Sequence, residues 1–261
     1  MGSMQIVKDV VKKYKDFTLG PLSIAFERGK ILAVIGPNGA GKTTLLNLLI
    51  GTREKQGGKI DFPPIQKVSI VGMAKFPANF NLNKIQSLFK KRLDLTKYNH
   101  YIKKFKLNTK KHFGEMSAGQ QILSQWAIAL SLLSSAIVLD EPFSNIDVFY
   151  RAFLYDELNK YIKTYNIPCV ITSHNLLEVD LISDLIVFLN NGKIIGKIEK
   201  KEKKVNWFII EEENYRNGIN IPSQNKHIIA LPRNEKPEKA TQIDLIEVFK
   251  LIFENEGNNE N

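Results

Sequence analysis

The sequence predicts an α/β fold in which helices cover both faces of a parallel sheet. Three short runs, at residues 31–35, 136–139 and 168–172, have the continuous hydrophobicity of strands that are buried on both faces. Helical stretches at residues 119–131 and 148–165 separate the later runs. Strands that alternate with helices favour a parallel sheet, because each helix carries the chain back to the edge where the next strand begins.

The first strand pair leads into a glycine-rich loop. Residues 22–26 and 31–35 are predicted strands, and the turn Glu27-Arg28-Gly29-Lys30 separates them. The loop follows the second strand at once and comprises Gly36, Pro37, Asn38, Gly39, Ala40, Gly41, Lys42, Thr43 and Thr44. Leucines at helical spacing then predict a helix that ends before Gly51.

The loop has the pattern Gly-x4-Gly-Lys-Thr between a strand and a helix, which is typical of a phosphate-binding loop. Its glycines let backbone N–H groups and the helix N-terminus face phosphate oxygens. Lys42 is expected to neutralise the β- and γ-phosphates, and the Thr43 hydroxyl is expected to ligate Mg²⁺. The nine loop residues are therefore predicted to bind a nucleoside triphosphate with Mg²⁺.

Two acids end the apolar strand at residues 136–139. Asp140 stands at the carboxyl end of this strand, where it suits a Mg²⁺ site. Glu141 suits a base or a positioner for the water that attacks the γ-phosphate. Alone, such a pair is often a surface turn. Beside a phosphate-binding loop it predicts metal-assisted hydrolysis.

Three further sequence features, two four-residue segments and a histidine, lie before and after these acids in the chain. Ser117-Ala118-Gly119-Gln120 opens a helix before Asp140, and Ser144-Asn145-Ile146-Asp147 follows the acid pair. His174 follows the third strand. Singly, these segments are an N-cap and ordinary polar loop residues. Their order and spacing relative to the phosphate-binding loop indicate a shared function.

The last part of the chain differs in composition. A charged cluster at residues 200–204 precedes two short predicted strands at residues 207–210 and 227–231. A closing helix with an apolar face is predicted after them, with Thr241 as its N-cap.

One segment carries nearly all of the net charge of +10. Residues 84–111 contain ten basic residues and one acid, whereas residues 200–261 contain ten basic and eleven acidic residues. Apolar residues recur at helical spacing among the lysines of the first segment, which is therefore either a solvated helical face or an interacting surface. Because the charge is local, no nucleic-acid partner is expected.

Cysteine usage and hydropathy predict a cytoplasmic protein. Cys169 is the single cysteine, so an internal disulfide is excluded and a reducing compartment is expected. The longest mostly apolar stretch, residues 126–139, spans 14 residues, fewer than the roughly 20 that cross a bilayer.

Together, the five motifs resemble the nucleotide-binding subunit of ATP-binding cassette (ABC) transporters. The resemblance covers residues 5 to about 200 and implies a P-loop NTPase fold of the ABC type. This fold has a parallel core sheet, an N-terminal antiparallel β subdomain and an inserted helical subdomain at about residues 80–115. Residues 4–200 are then the ATPase domain, and residues 201–261 are a small C-terminal extension that ends in a helix.

The resemblance also implies a dimer of nucleotide-binding subunits, homodimeric or heterodimeric, that closes on two MgATP molecules. The phosphate-binding loop, Asp140, Glu141 and His174 of one subunit would face the signature residues Ser117, Ala118, Gly119 and Gln120 of the other. Catalytic roles fall to Lys42, Glu141 and His174, metal ligation falls to Thr43 and Asp140, and Asp147 lines the interface. An aromatic residue stacks on adenine in this family, for which Tyr14 is the best match and Phe17 the second.

The chain departs from the family pattern in two places. The family has a glutamine at the exit of the strand that precedes the helical subdomain, but residues 67–75 contain none, and Gln66 precedes the strand. In the family this glutamine links the Mg²⁺ and water site to the transporter contact surface. Here that link is therefore predicted to be missing or supplied differently. Residues 51–71 are also few, which predicts a trimmed N-terminal β hairpin.

The helical subdomain of the family abuts integral membrane permease subunits, and here it coincides with the basic segment at residues 84–111. This implies a cytoplasmic ATPase, peripheral on the inner face of the cell membrane. Residues 243–249 resemble the terminal helix of ABC-2-type export ATPases, so export is expected. Two alternatives stay open: a soluble ABC-type ATPase such as those of iron-sulphur assembly, and a regulatory ATP binder with little turnover.

Overall fold

A computed structural model describes residues 4–73, 75–200, 205–210, 218–221, 226–232, 235, 237 and 240–254. The strands are β1 (Met4–Lys13), β2 (Thr18–Glu27), β3 (Ile31–Ile35), β4 (Gly57–Asp61), β5 (Val68–Val71), β6 (Ala136–Asp140), β7 (Cys169–Thr172), β8 (Leu185–Asn190), β9 (Lys193–Glu199), β10 (Val205–Ile210), β11 (Gly218–Ile221), β12 (Lys226–Pro232) and β13 (Thr241–Ile243). The helices are α1 (Lys42–Leu49), α2 (Leu82–Phe89), α3 (Leu95–Lys104), α4 (Ala118–Ser131), α5 (Val148–Tyr165), α6 (Leu176–Ile182) and α7 (Leu245–Glu254).

The central sheet has six strands in the order β5-β6-β7-β3-β8-β9. Its first five strands run parallel, and β9 pairs antiparallel with β8. The α/β class with parallel core strands is therefore confirmed. Strands β3, β6 and β7 are buried on both faces, as their apolar sequences predict. Since these neighbours run parallel, the loops that follow all three lie at one edge of the sheet.

A three-stranded antiparallel sheet with the order β2-β1-β4 precedes and flanks this core. The predicted N-terminal antiparallel subdomain is confirmed, and the few residues after α1 leave only the short β4 to extend it. Leu19 and Leu22 of β2 are fully buried in one apolar cluster with Leu45 and Leu46 of α1. This cluster fixes the N-terminal sheet against the helix that follows the phosphate-binding loop.

Helix α3 and all but the first two residues of α2 lie within the basic segment. Asn81 caps α2 by accepting the Lys84 N–H, and Asp94 caps α3 by accepting the Lys97 N–H. Tyr98 of α3 is buried, as its helical spacing predicts, whereas Leu88 of α2 is 62% exposed. The periodicity therefore predicts helices correctly but overstates their apolar faces, because the short helix α2 buries only part of its circumference.

The described C-terminal residues form a second antiparallel sheet with the order β11-β12-β10-β13, followed by α7. The two strands predicted here lie within β10 and β12. The predicted N-cap Thr241 is wrong, because it lies in β13. Asp244 caps α7 instead: its carboxylate accepts the Glu247 N–H at 2.8 Å, and Glu247 accepts the Asp244 N–H at 3.0 Å.

The charged cluster at residues 200–204 lies outside the described residues except for Lys200. Among the helices that the structure describes, none is long and apolar enough to traverse a bilayer.

Candidate functional site

The glycine-rich loop connects β3 to α1 at the edge where the parallel strands end. A Cβ on Gly36 would lie 2.0 Å from the Leu189 carbonyl oxygen, so the loop begins in backbone contact with β8. The Lys42 amine donates hydrogen bonds to the carbonyl oxygens of Gly36 (2.8 Å) and Pro37 (3.0 Å). Lys42 therefore closes the loop on itself and holds a cation beside its backbone amides.

Burial lowers the pKa of the Lys42 amine, and the carboxylates of Glu141 and Asp140 oppose this shift. Water screens the charge of a partly buried ammonium only weakly, so an anion bound in the loop would interact with Lys42 strongly. The electrostatics of Lys42 suit a phosphate ligand.

The two predicted metal ligands meet at this edge. The Thr43 hydroxyl donates to Asp140 Oδ2 at 3.2 Å, and the Thr172 hydroxyl donates to Asp140 Oδ1. A hydroxyl and a carboxylate are the hard oxygen donors that Mg²⁺ prefers. Across the described residues, no group of three or more His, Cys, Asp and Glu side chains forms a metal cluster. The donor set fits a Mg²⁺ ion that takes its other ligands from water and phosphate.

Glu141 and His174 form a pair beside this donor set. Glu141 has a left-handed backbone, with φ of 49°, and its N–H donates to the Thr172 carbonyl oxygen at 3.1 Å. His174 Nδ1 lies 2.7 Å from Glu141 Oε2, and the His174 N–H donates to the same oxygen at 3.3 Å. The imidazole is 76% exposed and the carboxylate 32% exposed. The strand end thus presents a carboxylate and an imidazole toward solvent.

The signature residues cap α4. The Ser117 hydroxyl accepts the Gln120 N–H, and Gln120 Oε1 accepts the Ser117 N–H, both at 3.2 Å. Ser117 and Ala118 are exposed. A Cβ on Gly119 would lie 2.5 Å from the Asn145 carbonyl oxygen, so the signature packs against the segment that follows the acid pair.

Asp147 caps α5, because its carboxylate accepts the Phe149 N–H at 2.9 Å. This cap leaves Asp147 exposed at the end of the segment that contains Asn145. Within the chain, Asp147 has a local role in starting a helix.

An aromatic side chain does line the phosphate-binding loop, but it is Phe17. A cavity of about 260 Å³ is lined by Phe17, Asn38, Gly39, Gly41, Lys42, Thr43 and Thr44. Tyr14 lies outside it, 43% exposed, with its ring centroid 6.3 Å from that of Phe17. The turn between β1 and β2 carries both rings, and only its second aromatic residue reaches the loop.

A partly buried ion pair that no sequence motif indicates lies behind the site. Arg151 Nη1 lies 2.9 Å from Glu178 Oε1, and Arg151 Nη2 donates to the Ile146 carbonyl oxygen at 3.1 Å. Ser173, next to His174, donates to Glu178 Oε2 at 3.3 Å. Burial raises the pKa of Glu178, and Arg151 opposes the shift. The pair joins the segment around Ile146 to the segment around His174.

Comparison with known proteins agrees with this geometry. A family profile described as "ABC transporter" matches residues 19–144. A second profile, described as "AAA domain, putative AbiEii toxin, Type IV TA system", matches residues 112–180.

Several curated relatives are similar over most of their length. The zinc import ATP-binding protein of Anaplasma phagocytophilum (strain HZ) is 32% identical over 183 residues, which cover 66% of this chain and 73% of that protein. The corresponding protein of Wolbachia sp. subsp. Brugia malayi (strain TRS) is 30% identical over 189 residues, 66% of this chain and 74% of the relative. The molybdate/tungstate import ATP-binding protein of Thermococcus kodakarensis is 26% identical over 219 residues, 73% of this chain and 63% of the relative.

Solved structures share the fold. A structure described as the ATP-binding subunit of an ABC transporter superposes with a TM-score of 0.68 at 22% identity and covers 76% of this chain and 90% of its own. A nucleotide-free ATP-binding cassette from an ABC transporter gives a TM-score of 0.63 at 22% identity, with 78% and 93% covered.

Proposed function

The chain belongs to the family of ABC transporter ATP-binding subunits and is therefore an ATPase, and we propose the roles of its residues, its partners and the direction of transport. The observation that supports this proposal most is the meeting of three groups at one sheet edge. They are the phosphate-binding loop, the Thr43–Asp140 pair and the Glu141–His174 pair.

In the proposed reaction, the loop N–H groups and the N-terminus of α1 bind the phosphates of ATP, with Lys42 as their counter-charge. Thr43 and Asp140 hold Mg²⁺, which when bound neutralises phosphate charge. Glu141 accepts a proton from the attacking water, whose oxygen bonds to the γ-phosphorus while the bond from that phosphorus to the ADP oxygen breaks and ADP leaves. His174 holds Glu141 Oε2 at 2.7 Å and presents its exposed ring to the γ-phosphate. Phe17 stacks on the adenine.

The exposed start of α4 supports a dimer. A helix of 14 residues that begins at Ala118 offers free N–H groups and a positive dipole end to an anion. In a head-to-tail dimer, this end would meet the γ-phosphate that is bound by the partner subunit. Asp147 and His174, both exposed, would line the same interface.

We also propose a membrane partner and import. The named relatives are import ATP-binding proteins for zinc and for molybdate or tungstate, so we infer that integral membrane permease subunits bind this chain and move a small inorganic ion inward. The expectation of export is not confirmed by these relatives. It depended on residues 243–249, a short resemblance within which β13 ends and α7 begins.

Hydrolysis of MgATP by the purified full chain tests the site. Glu141→Gln should lower kcat about 100-fold or more, the usual effect of losing a general base. Glu54→Gln is the matched control, since Glu54 is exposed and lies outside the site, and its rate should equal that of the wild type. A wild type that binds ATP but turns over no faster than Glu141→Gln would instead support the regulatory ATP binder.

Affinity capture from native membranes tests the partner. Co-purification of a polytopic protein is expected, and its absence would favour the soluble ABC-type ATPase. In vesicles that hold this complex with the ATPase outside, radiolabelled zinc and molybdate serve as probes. ATP should drive the ion out of the lumen if the system imports, whereas loading of the lumen would show export.

A further inference from the structure

A buried glutamine lies between the signature helix and the metal edge. Gln125 is on α4 and is only 7% exposed. Its side-chain oxygen Oε1 accepts the backbone N–H of Gly72 at 2.7 Å. Burial of an amide is unfavourable unless the group is hydrogen-bonded, so this contact accounts for a large polar side chain that is buried on α4.

Gly72 is the first residue after β5, where the chain leaves the sheet. Its φ is +89°, and a Cβ there would lie 1.7 Å from the Asp140 carbonyl oxygen. The exit of β5 therefore rests directly on the backbone of Asp140. A shift of this exit toward β6 would therefore press on Asp140, whose carboxylate accepts the Thr43 hydroxyl.

Helix α4 carries Gln125 and also the signature. Gln125 lies eight residues after Ser117, a distance of about 12 Å along the helix axis at 1.5 Å per residue. A movement of the signature end would reach Gln125 along this helix, and would reach the β5 exit through the hydrogen bond from Gly72 to Gln125. The exit itself contains no glutamine.

We propose that Gln125 is a positioning residue that holds the β5 exit on Asp140 and so supplies, from the signature helix, the glutamine link that the exit lacks. The proposal rests on the ATPase site described above and adds a route by which the signature senses the state of that site. Gln125 acts through Gly72 and Asp140 and does not touch the nucleotide.

The matched control is Ser69. Its hydroxyl donates to the Ala129 carbonyl oxygen at 3.0 Å, a buried hydrogen bond that joins β5 to α4, and lies 2.6 Å from the Ser134 hydroxyl. Ser69→Ala thus weakens the same packing without touching the exit. Gln125→Met removes the acceptor at nearly constant volume, and Gln125→Glu keeps an acceptor oxygen at the same reach.

The experiment combines kinetics with a measurement that needs no turnover. In the full chain, Gln125→Met should lower kcat about tenfold and raise the Mg²⁺ concentration for half-maximal binding of a fluorescent ATP analogue. Ser69→Ala should leave both unchanged, and Gln125→Glu should restore most of the loss. Amide hydrogen exchange at Gly72 should accelerate about tenfold in Gln125→Met only, the effect of losing one typical hydrogen bond.

Equal effects of Gln125→Met and Ser69→Ala on kcat and on Mg²⁺ dependence would overturn the proposal in favour of simple packing. If Gln125→Met does not fold, Gln125→Glu decides. In that variant, near wild-type values of kcat and of Gly72 amide protection from exchange would support the link. A lost kcat together with normal Gly72 protection and wild-type Mg²⁺ dependence would refute it. If the wild type shows no hydrolysis, the proposed ATPase function is wrong. The hydrogen-exchange and ATP-analogue binding measurements still test whether Gln125 holds the β5 exit.

Discussion

Replacing Gly72 with alanine tests whether the β5 exit lies against the backbone of Asp140. Gly51→Ala is the matched control, because φ is positive at both residues, +75° at Gly51 and +89° at Gly72. A Cβ on Gly51 would have no neighbouring atom within 4 Å. Both variants place an L-residue in the left-handed region, at a cost of about 1–2 kcal/mol. Only Gly72→Ala adds a clash, at 1.7 Å from the Asp140 carbonyl oxygen.

The clash sets the expected difference between the two variants. Backbone atoms on both sides prevent relief by a rotamer change, so overpacking should add about 1–3 kcal/mol at Gly72. The free energy of unfolding should therefore fall by about 1–2 kcal/mol in Gly51→Ala and by about 2–5 kcal/mol in Gly72→Ala.

Urea unfolding followed by tryptophan fluorescence measures both changes. Trp126 is fully buried and donates its indole N–H to the Pro142 carbonyl oxygen at 2.8 Å, so it reports unfolding around the segment that follows β6. The second tryptophan of the chain, Trp207 in β10, adds a signal from the C-terminal sheet. Equal losses of stability in Gly72→Ala and Gly51→Ala would refute the contact between the exit and Asp140, and with it the path from Gln125.

Three more predictions follow from the site. Phe17→Ala should weaken ATP binding about three- to tenfold in an equilibrium titration, whereas Tyr14→Ala should not, and the reverse order would restore Tyr14 as the adenine contact. Arg151→Met should lower the free energy of unfolding by about 3 kcal/mol, the low end for a buried ion pair because Arg151 is 30% exposed; a loss under 1 kcal/mol would contradict this. Burial raises the pKa of Glu178, so the folded chain binds more protons than the unfolded chain above the ordinary value of 4.5. As the pH rises from about 4.5 through that raised pKa, the free energy of unfolding of the wild type should therefore fall relative to that of Glu178→Gln. Urea titrations at several pH values measure this difference, and a difference that does not change with pH would disprove the shift.

Local patterns predicted the core of the fold well. The apolar run at residues 31–35 is β3, and the helical period at residues 148–165 is α5, residue for residue. These elements depend on hydrophobic period and on strand burial, which are legible in a short window. Thr241 was misassigned as a cap because serine, threonine and aspartate all suit that position, and the Asp244–Glu247 pair lies only three residues further on.

The side-chain contacts of the site could be predicted only in part. The strand ends bring Thr43 and Asp140 together because parallel neighbours end at one edge of the sheet. Phe17 and Tyr14 lie on the same turn, and their order in the chain does not say which ring reaches the loop. Arg151 and Glu178 are ordinary charges on two helices until those helices pack together.

Local sequence suffices to predict the phosphate-binding loop, the acid pair at the end of β6 and the capped start of α4, because each needs only neighbouring residues in a strand, a turn or a helix terminus. The contact of Gln125 with Gly72, the approach of Gly72 to Asp140 and the place of Phe17 at the loop follow from the folded chain alone. Such contacts join residues far apart in the chain. Their partners are chosen by how the helices and sheets pack, and a local pattern does not record that packing.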